Sequence, residues 1–289
     1  MKKNEKLENK KVIENGIFDD ERALYGSDNL KVINCKFTGP KDGESALKES
    51  SEIEIDNCLF DLRYPLWHVT NCEMMNSEMT IKCRAPIWYT KNIKITNSTL
   101  YGPKSFRECD VIDLNSCDID SAEFGWRSKN FIFNDCKVKG EYALFGSSNI
   151  NMINSLLNGK YSFQYTKNVY LKNVKVDTKD AFWHAKNVTI EDCDIVGEYM
   201  AWYSENLKLI NCTIKGTQPF CYCKNLELVN CKMIDCDLAF ENSSVNATLI
   251  GNVKSIKNPL SGLIVADSVD EIIMDDKKYN CSGKVEIRK

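Results

Sequence analysis

Residues 187–195 read NVTIEDCDI, residues 206–214 read NLKLINCTI and residues 225–233 read NLELVNCKM, so one phrase returns at a fixed interval of 19 residues. A constant period marks a repeat architecture, in which each copy buries its apolar face only by stacking on its neighbours. The cysteine of the phrase is found again at Cys35, Cys58, Cys117 and Cys136, and Ser77, Ser98, Ser155 and Val174 hold the same position in other copies. The step is 23 residues from Cys35 to Cys58, 19 to Ser77, 21 to Ser98 and 19 thereafter through Cys231. This defines eleven copies, with a twelfth, irregular one between Asp237 and Asn252.

Within a copy the apolar residues alternate, as at Leu207 and Leu209, and period-two alternation over so short a run predicts strand rather than helix. The Asn or Asp that precedes the cysteine position (Asn34, Asn57, Asn76, Asn97, Asp135, Asn154, Asn173, Asp192, Asn211, Asn230) suits a bend, because these residues tolerate left-handed backbone. Stacked on one another they are expected to form amide ladders. Helical solenoids repeat at more than about 30 residues, so the predicted fold is all-β: a single-stranded, right-handed parallel β-helix of about 11–12 coils stacked at roughly 4.8 Å. Residues 1–28 and 253–289 are predicted to cap the ends of the coils at 29–252, since an open stack exposes unpaired backbone. The whole is one continuous domain. The insertion GPKDGESALKES, residues 39–50, is predicted to turn at Pro40 and to form one short helical turn.

Composition narrows the function. The 38 basic and 41 acidic residues are interspersed and give a net charge of -3, without the basic excess that binding a phosphate backbone requires. No apolar run approaches membrane-spanning length, and MKKNEKLENKK is not followed by the apolar stretch of an export signal. The expectation is a cytoplasmic protein without nucleic acid or membrane as partner. The 14 cysteines are then read as reduced core thiols, half of them in one column. Cofactor and metal are both predicted to be absent. His68 and His184, the 2 histidines, lie six coils apart, about 29 Å at strand spacing. Cys221, Cys223, Cys231 and Cys236 lack the spacing of a strong zinc motif. Asp118, Asp120 and Glu123 sit on one coil, which is weak support for calcium.

The strings DDERALYG, GPKDGESALKE, LRYPLWH, TKDAFWHAKNVTIEDC, GEYMAWYSENLKLINC, GTQPFCYCKNL and KNPLSG resemble a bacterial domain-of-unknown-function family of right-handed β-helix proteins. The resemblance covers nearly the whole chain after about Gly16. It implies shape and bacterial origin. Some members carry a hydrolase label, but the resemblance brings no catalytic residues with it.

Functional candidates come from the second half of each copy. One column holds Trp67, Trp88, Arg107, Trp126, Phe145, Gln164, Trp183, Trp202, Cys221 and Phe240. If strand alternation continues, the interleaved triplets Tyr161, Phe163 and Tyr165, Asp180, Phe182 and His184, and Tyr199, Ala201 and Tyr203 each point one way. Aromatic groups beside carboxylates and hydrogen-bond donors suit a glycan-binding face, with Tyr89, Tyr165, Tyr203 and Tyr222 as substrate-binding candidates. Where most copies carry tyrosine or histidine, two carry Glu108 and Arg127. With Glu123, these are candidates for a sugar-cleaving acid or base, against the plainer reading of a surface ion pair. Asp180 with His184 is the alternative catalytic focus, although four residues of strand separate the two by about 13 Å unless the chain bends. Two classes of function follow. One is a carbohydrate-active or glycan-binding protein acting on an oligo- or polysaccharide; the other is a non-catalytic scaffold that binds a protein partner or a second copy of itself.

Overall fold

The computed structural model describes residues 10–39 and 44–288, and the chain divides into two compact units, Met1–Val138 and Lys139–Lys289. Among the described residues there is no helix, and parallel β-solenoid makes about 14 turns. In the first unit the long strands Lys11–Glu14, Asp28–Ile33, Ser51–Asp56, Thr70–Met75, Lys91–Thr96, Asp110–Asn115 and Lys129–Asn134 pair in parallel, each with the next. In the second unit the same holds from Ser148–Ile153 through Lys167–Lys172, Lys186–Glu191 and Glu205–Ile210 to Lys224–Ile234. Register follows the repeat: Lys167, Lys186, Glu205 and Lys224 stand opposite one another on successive strands.

Residue type explains each corner. Asn154, Asn173, Asp192, Asn211 and Asn230 all have φ between 51° and 54°, the left-handed conformation that a short amide or carboxylate side chain tolerates. The strand carbonyl just before that corner accepts twice, once from the corner N–H of the preceding coil (Asn173 N to Glu191 O at 3.1 Å, Asp192 N to Ile210 O at 3.0 Å) and once from the residue after the corner. Cys193 Sγ donates to Glu191 O at 3.1 Å, Cys212 Sγ to Ile210 O at 3.3 Å and Ser155 Oγ to Ile153 O at 2.7 Å. Cysteine and serine interchange at this position because both are small donors. All 14 thiols are free; all but Cys281 are buried, and burial pushes Cys72, Cys109 and Cys223 up to about 12. The predicted amide ladder forms at this corner, where Asn173 bonds Asn154 at 2.7 Å, and a second one that the sequence reading did not predict runs through Asn168, Asn187, Asn206 and Asn225, each donating to the preceding copy at 2.9–3.1 Å.

The core consists of columns: Val188, Leu207 and Leu226; Ile190, Leu209 and Leu228; Phe182, Ala201 and Phe220, all almost fully buried. In the first unit Phe18, Phe37 and Phe60 stack at 4.9 and 4.8 Å.

Two expectations are corrected, and strand pairing also runs into both end segments. Lys11–Glu14 and Ile17–Phe18 pair with the coil that follows, and the tail supplies the paired strands Ser261–Ala266, Ser268–Ile273 and Lys284–Ile287. These segments lack the phrase but keep enough alternation to extend the stack. The helical turn expected in the insertion is a non-helical turn at residues 46–49, with Ser45, Leu47 and Glu49 at positive φ; Pro40 lies outside the described residues. Finally, the aromatic triplets are not strands.

Candidate functional site

Each triplet is an arch in which every second residue is left-handed: Tyr161, Phe163 and Tyr165 at φ 58°, 60° and 59°, and Asp180, Phe182 and His184 at 53°, 60° and 56°. Bulky side chains avoid this region on their own. Here the stack holds them, because successive left-handed residues bond alternately to the coils on either side: Phe163 N to Ala143 O at 2.9 Å, then Tyr165 N to Trp183 O at 2.8 Å. The three side chains therefore diverge. The middle residue is buried (Phe163, Phe182, Ala201, Phe220), whereas the last is exposed or half-exposed (Tyr165, His184, Tyr203, Tyr222).

That last position forms a ring ladder in the second unit. Tyr165 stacks on His184 at 4.9 Å, His184 on Tyr203 at 5.1 Å and Tyr203 on Tyr222 at 4.9 Å, with interplanar angles of 15° or less. Because neighbours occupy the ring faces, the ladder presents edges and polar tips to solvent. Tyr165 remains 50% exposed and Tyr203 47%. Among the described residues, neither of these hydroxyls nor the His184 imidazole has a hydrogen-bond partner. Burial, with Glu241 nearby, pushes the Tyr222 phenol up, so it stays a neutral donor. Behind the ladder, Trp183 and Trp202 stack at 5.5 Å, and their indole N–H groups donate to Tyr199 O and Gln218 O at 2.6 and 2.8 Å. Gln164 makes the equivalent bond, Nε2 to Asp180 O at 3.0 Å, which explains an amide in a tryptophan column.

Asp180 and His184 do not pair. The Asp180 side chain is buried at the start of its arch, where desolvation raises its pKa, Lys179 opposes the rise and Glu198 adds to it; His184 stands outside in the ladder.

In the first unit, His68 and Tyr89 stack at 4.9 Å, and Tyr89 meets the Trp67 and Trp88 rings edge-on. The Arg107 guanidinium lies between Trp88 and Trp126, 4.7 and 4.9 Å from the two ring centres, and its Nη2 donates to Glu123 at 2.5 Å. Lys104 reaches the same carboxylate at 3.3 Å. The ion pair of this region thus joins Arg107 to Glu123, and Glu108 and Arg127 form none among the described residues. Those two instead line a shallow depression of about 440 Å³ with Lys91, Cys109, Asp110 and Lys129. A larger groove of about 840 Å³ opens over the adjoining sheet face, between Glu73, Asn92, Lys94 and Ile132. Sequence reasoning missed the cation sandwich, although a lone Arg in a column of Trp was its signal.

An all-β chain of parallel coils, with a ring ladder in its second unit, defines a protein of the parallel β-solenoid class. The chain belongs to a family of proteins of unknown function, DUF3737, whose model matches residues 11–288. No curated protein matches it. Among solved structures it is similar to the A-module of the Azotobacter vinelandii mannuronan C-5 epimerase AlgE4 (9% identity, 96% of this chain and 91% of that one, TM-score 0.34). It is also similar to the catalytic domain of a GH87 alpha-1,3-glucanase in complex with nigerose (9%, 83% and 63%, TM-score 0.36). A third is QnrB1, a plasmid-mediated fluoroquinolone resistance protein (11%, 82% and 92%, TM-score 0.18).

Proposed function

We propose that this protein binds an extended oligosaccharide or polysaccharide along the ring ladder of its second unit, without cleaving it. The observation that carries this reading is the ladder itself: four rings, Tyr165, His184, Tyr203 and Tyr222, stacked at 4.9–5.1 Å with their edges outward and unpartnered polar tips on Tyr165, His184 and Tyr203. Recognition then runs through ring edges and hydroxyls, since the faces are already occupied. A linear chain with hydroxyls at regular intervals matches such a row better than a compact ligand does. The platform is preorganised, which lowers the ordering cost of binding.

Cleavage is not favoured. Sugar hydrolysis needs one protonated and one ionised carboxyl group flanking the bond. Glu123 is engaged by Arg107 and Lys104, Asp110 by Lys129 at 3.2 Å, and Glu108 shares its depression with Arg127, Lys91 and Lys129. The test is titration calorimetry of the protein with oligosaccharides of six residues or so, alongside Tyr203→Ala. Binding that is lost in Tyr203→Ala while the fold persists supports the reading. Reducing-end release that disappears in Glu108→Ala would replace it with a hydrolytic one.

A further inference from the structure

Resting on that reading, we infer that the polymer taken by the ladder is anionic, a chain bearing carboxylate or sulfate groups rather than a neutral glycan. Two residues beyond each ladder ring, after one buried residue, runs a parallel lane: Lys167, Lys186, Glu205 and Lys224, in register on successive strands. Glu205 is the single acid of that lane. It is bonded by Lys186 at 2.8 Å, and this bond, with Lys224 nearby, holds its carboxyl below the ordinary range. Lys167 and Lys224 are exposed and without an ion-pair partner among the described residues. They stand three coils apart, about 14 Å along the axis at strand spacing. The lane therefore offers two free cations at the two ends of the ladder and no free anion between them.

One residue further out lies the amide ladder of Asn168, Asn187, Asn206 and Asn225. An amide nitrogen has two protons. Each of these spends one on its neighbour and keeps the other, so the lane beyond the lysines is a row of N–H donors at the coil spacing. Ring tips, ammonium groups and amide donors thus lie side by side, and the combination is complementary to a chain that repeats both hydroxyl and anionic oxygens.

The test uses the full chain and two probes of equal length, an oligouronate hexamer and an uncharged β-linked glucose hexamer, titrated at low and at raised salt. Lys167→Glu/Lys224→Glu reverses the free cations, and Lys175→Glu/Lys232→Glu makes the same change of net charge on the other strand of the coil. The expected result is preferential binding of the oligouronate, weakened by salt, about tenfold or more weaker in the first variant and within about twofold of wild type in the second. Equal affinity for both probes, or an oligouronate affinity that the first variant leaves within about twofold, overturns the anionic inference and leaves the glycan reading intact. Binding of neither probe overturns the glycan reading, and this inference with it. Circular dichroism of each variant confirms that a lost affinity is not a lost fold.

Discussion

Arg107 Nη2 lies 2.5 Å from Glu123 Oε2 while the guanidinium plane is held between two indoles, so one cation serves an ion pair and two cation–π contacts together. The Arg107 side chain is 21% exposed and that of Glu123 26%, so solvent screens the pair only in part. A lysine carries the charge but not the flat fork that fits between the rings. Arg107→Lys is therefore expected to cost about 1 kcal/mol, and Arg107→Ala about 2–3 kcal/mol because it also leaves a gap in the tryptophan column. Denaturant unfolding measures both. Equal losses for the two variants would mean that the flat fork, and not the charge, is what this position needs.

Asp180 sets a pH dependence of the unusual sign. Burial raises its pKa above the ordinary 3.8, so the folded protein holds that proton more tightly than the unfolded chain does. The stability this contributes is fully present below the ordinary value and is lost as pH rises through the raised one. At neutral pH the ionised carboxylate is a burden. Asp180→Asn is expected to raise Tm at pH 7, with the difference from wild type closing as pH falls below 4 or so. A lower Tm for the variant at pH 7 would mean instead that the carboxylate has a partner that stabilises its charged form.

How far these features were legible differs by residue. Asn187, Asn206 and Asn225 announced the period, and Asn173, Asn211 and Asn230 the left-handed corner, because local propensity and the stacked structure agree there. The Cys193, Cys212 and Cys231 column was legible for the same reason, as small donors recurring at one position. Phe163 and Phe182 at positive φ were not, since no local preference places a phenylalanine there; only the bonds to both neighbouring coils make that backbone tolerable. Reading those arches as strands put Tyr161, Phe163 and Tyr165 on one side. The ring ladder needed only the repeat, but the closure of its faces by mutual stacking is set by how the arches hold the rings in three dimensions.

The thiols give a count that checks the core directly. With 13 of the 14 cysteines buried and Cys281 half-buried, a thiol-specific reagent at pH 8 is expected to titrate about one group in the native protein and all 14 in denaturant. Cys281→Ser is expected to abolish the native reaction. Several groups reacting at once in native buffer would show that the coils open cooperatively on the time scale of the assay.

Tyr203 separates the structural from the recognition role of the ladder. Its ring contacts His184 on one face and Tyr222 on the other, at 5.1 and 4.9 Å, and is 47% exposed. Tyr203→Phe keeps both stacks and removes only the hydroxyl, so stability is expected to stay within about 0.5 kcal/mol of wild type. Tyr203→Ala breaks both, at about 0.5–1.5 kcal/mol for each stack, or about 1–3 kcal/mol in all. If the hydroxyl contacts the glycan, Tyr203→Phe weakens binding by about 1 kcal/mol, near fivefold, without moving Tm. Unchanged affinity in Tyr203→Phe with loss in Tyr203→Ala would locate recognition in the ring edges alone, and loss in neither would remove the ladder from the binding surface.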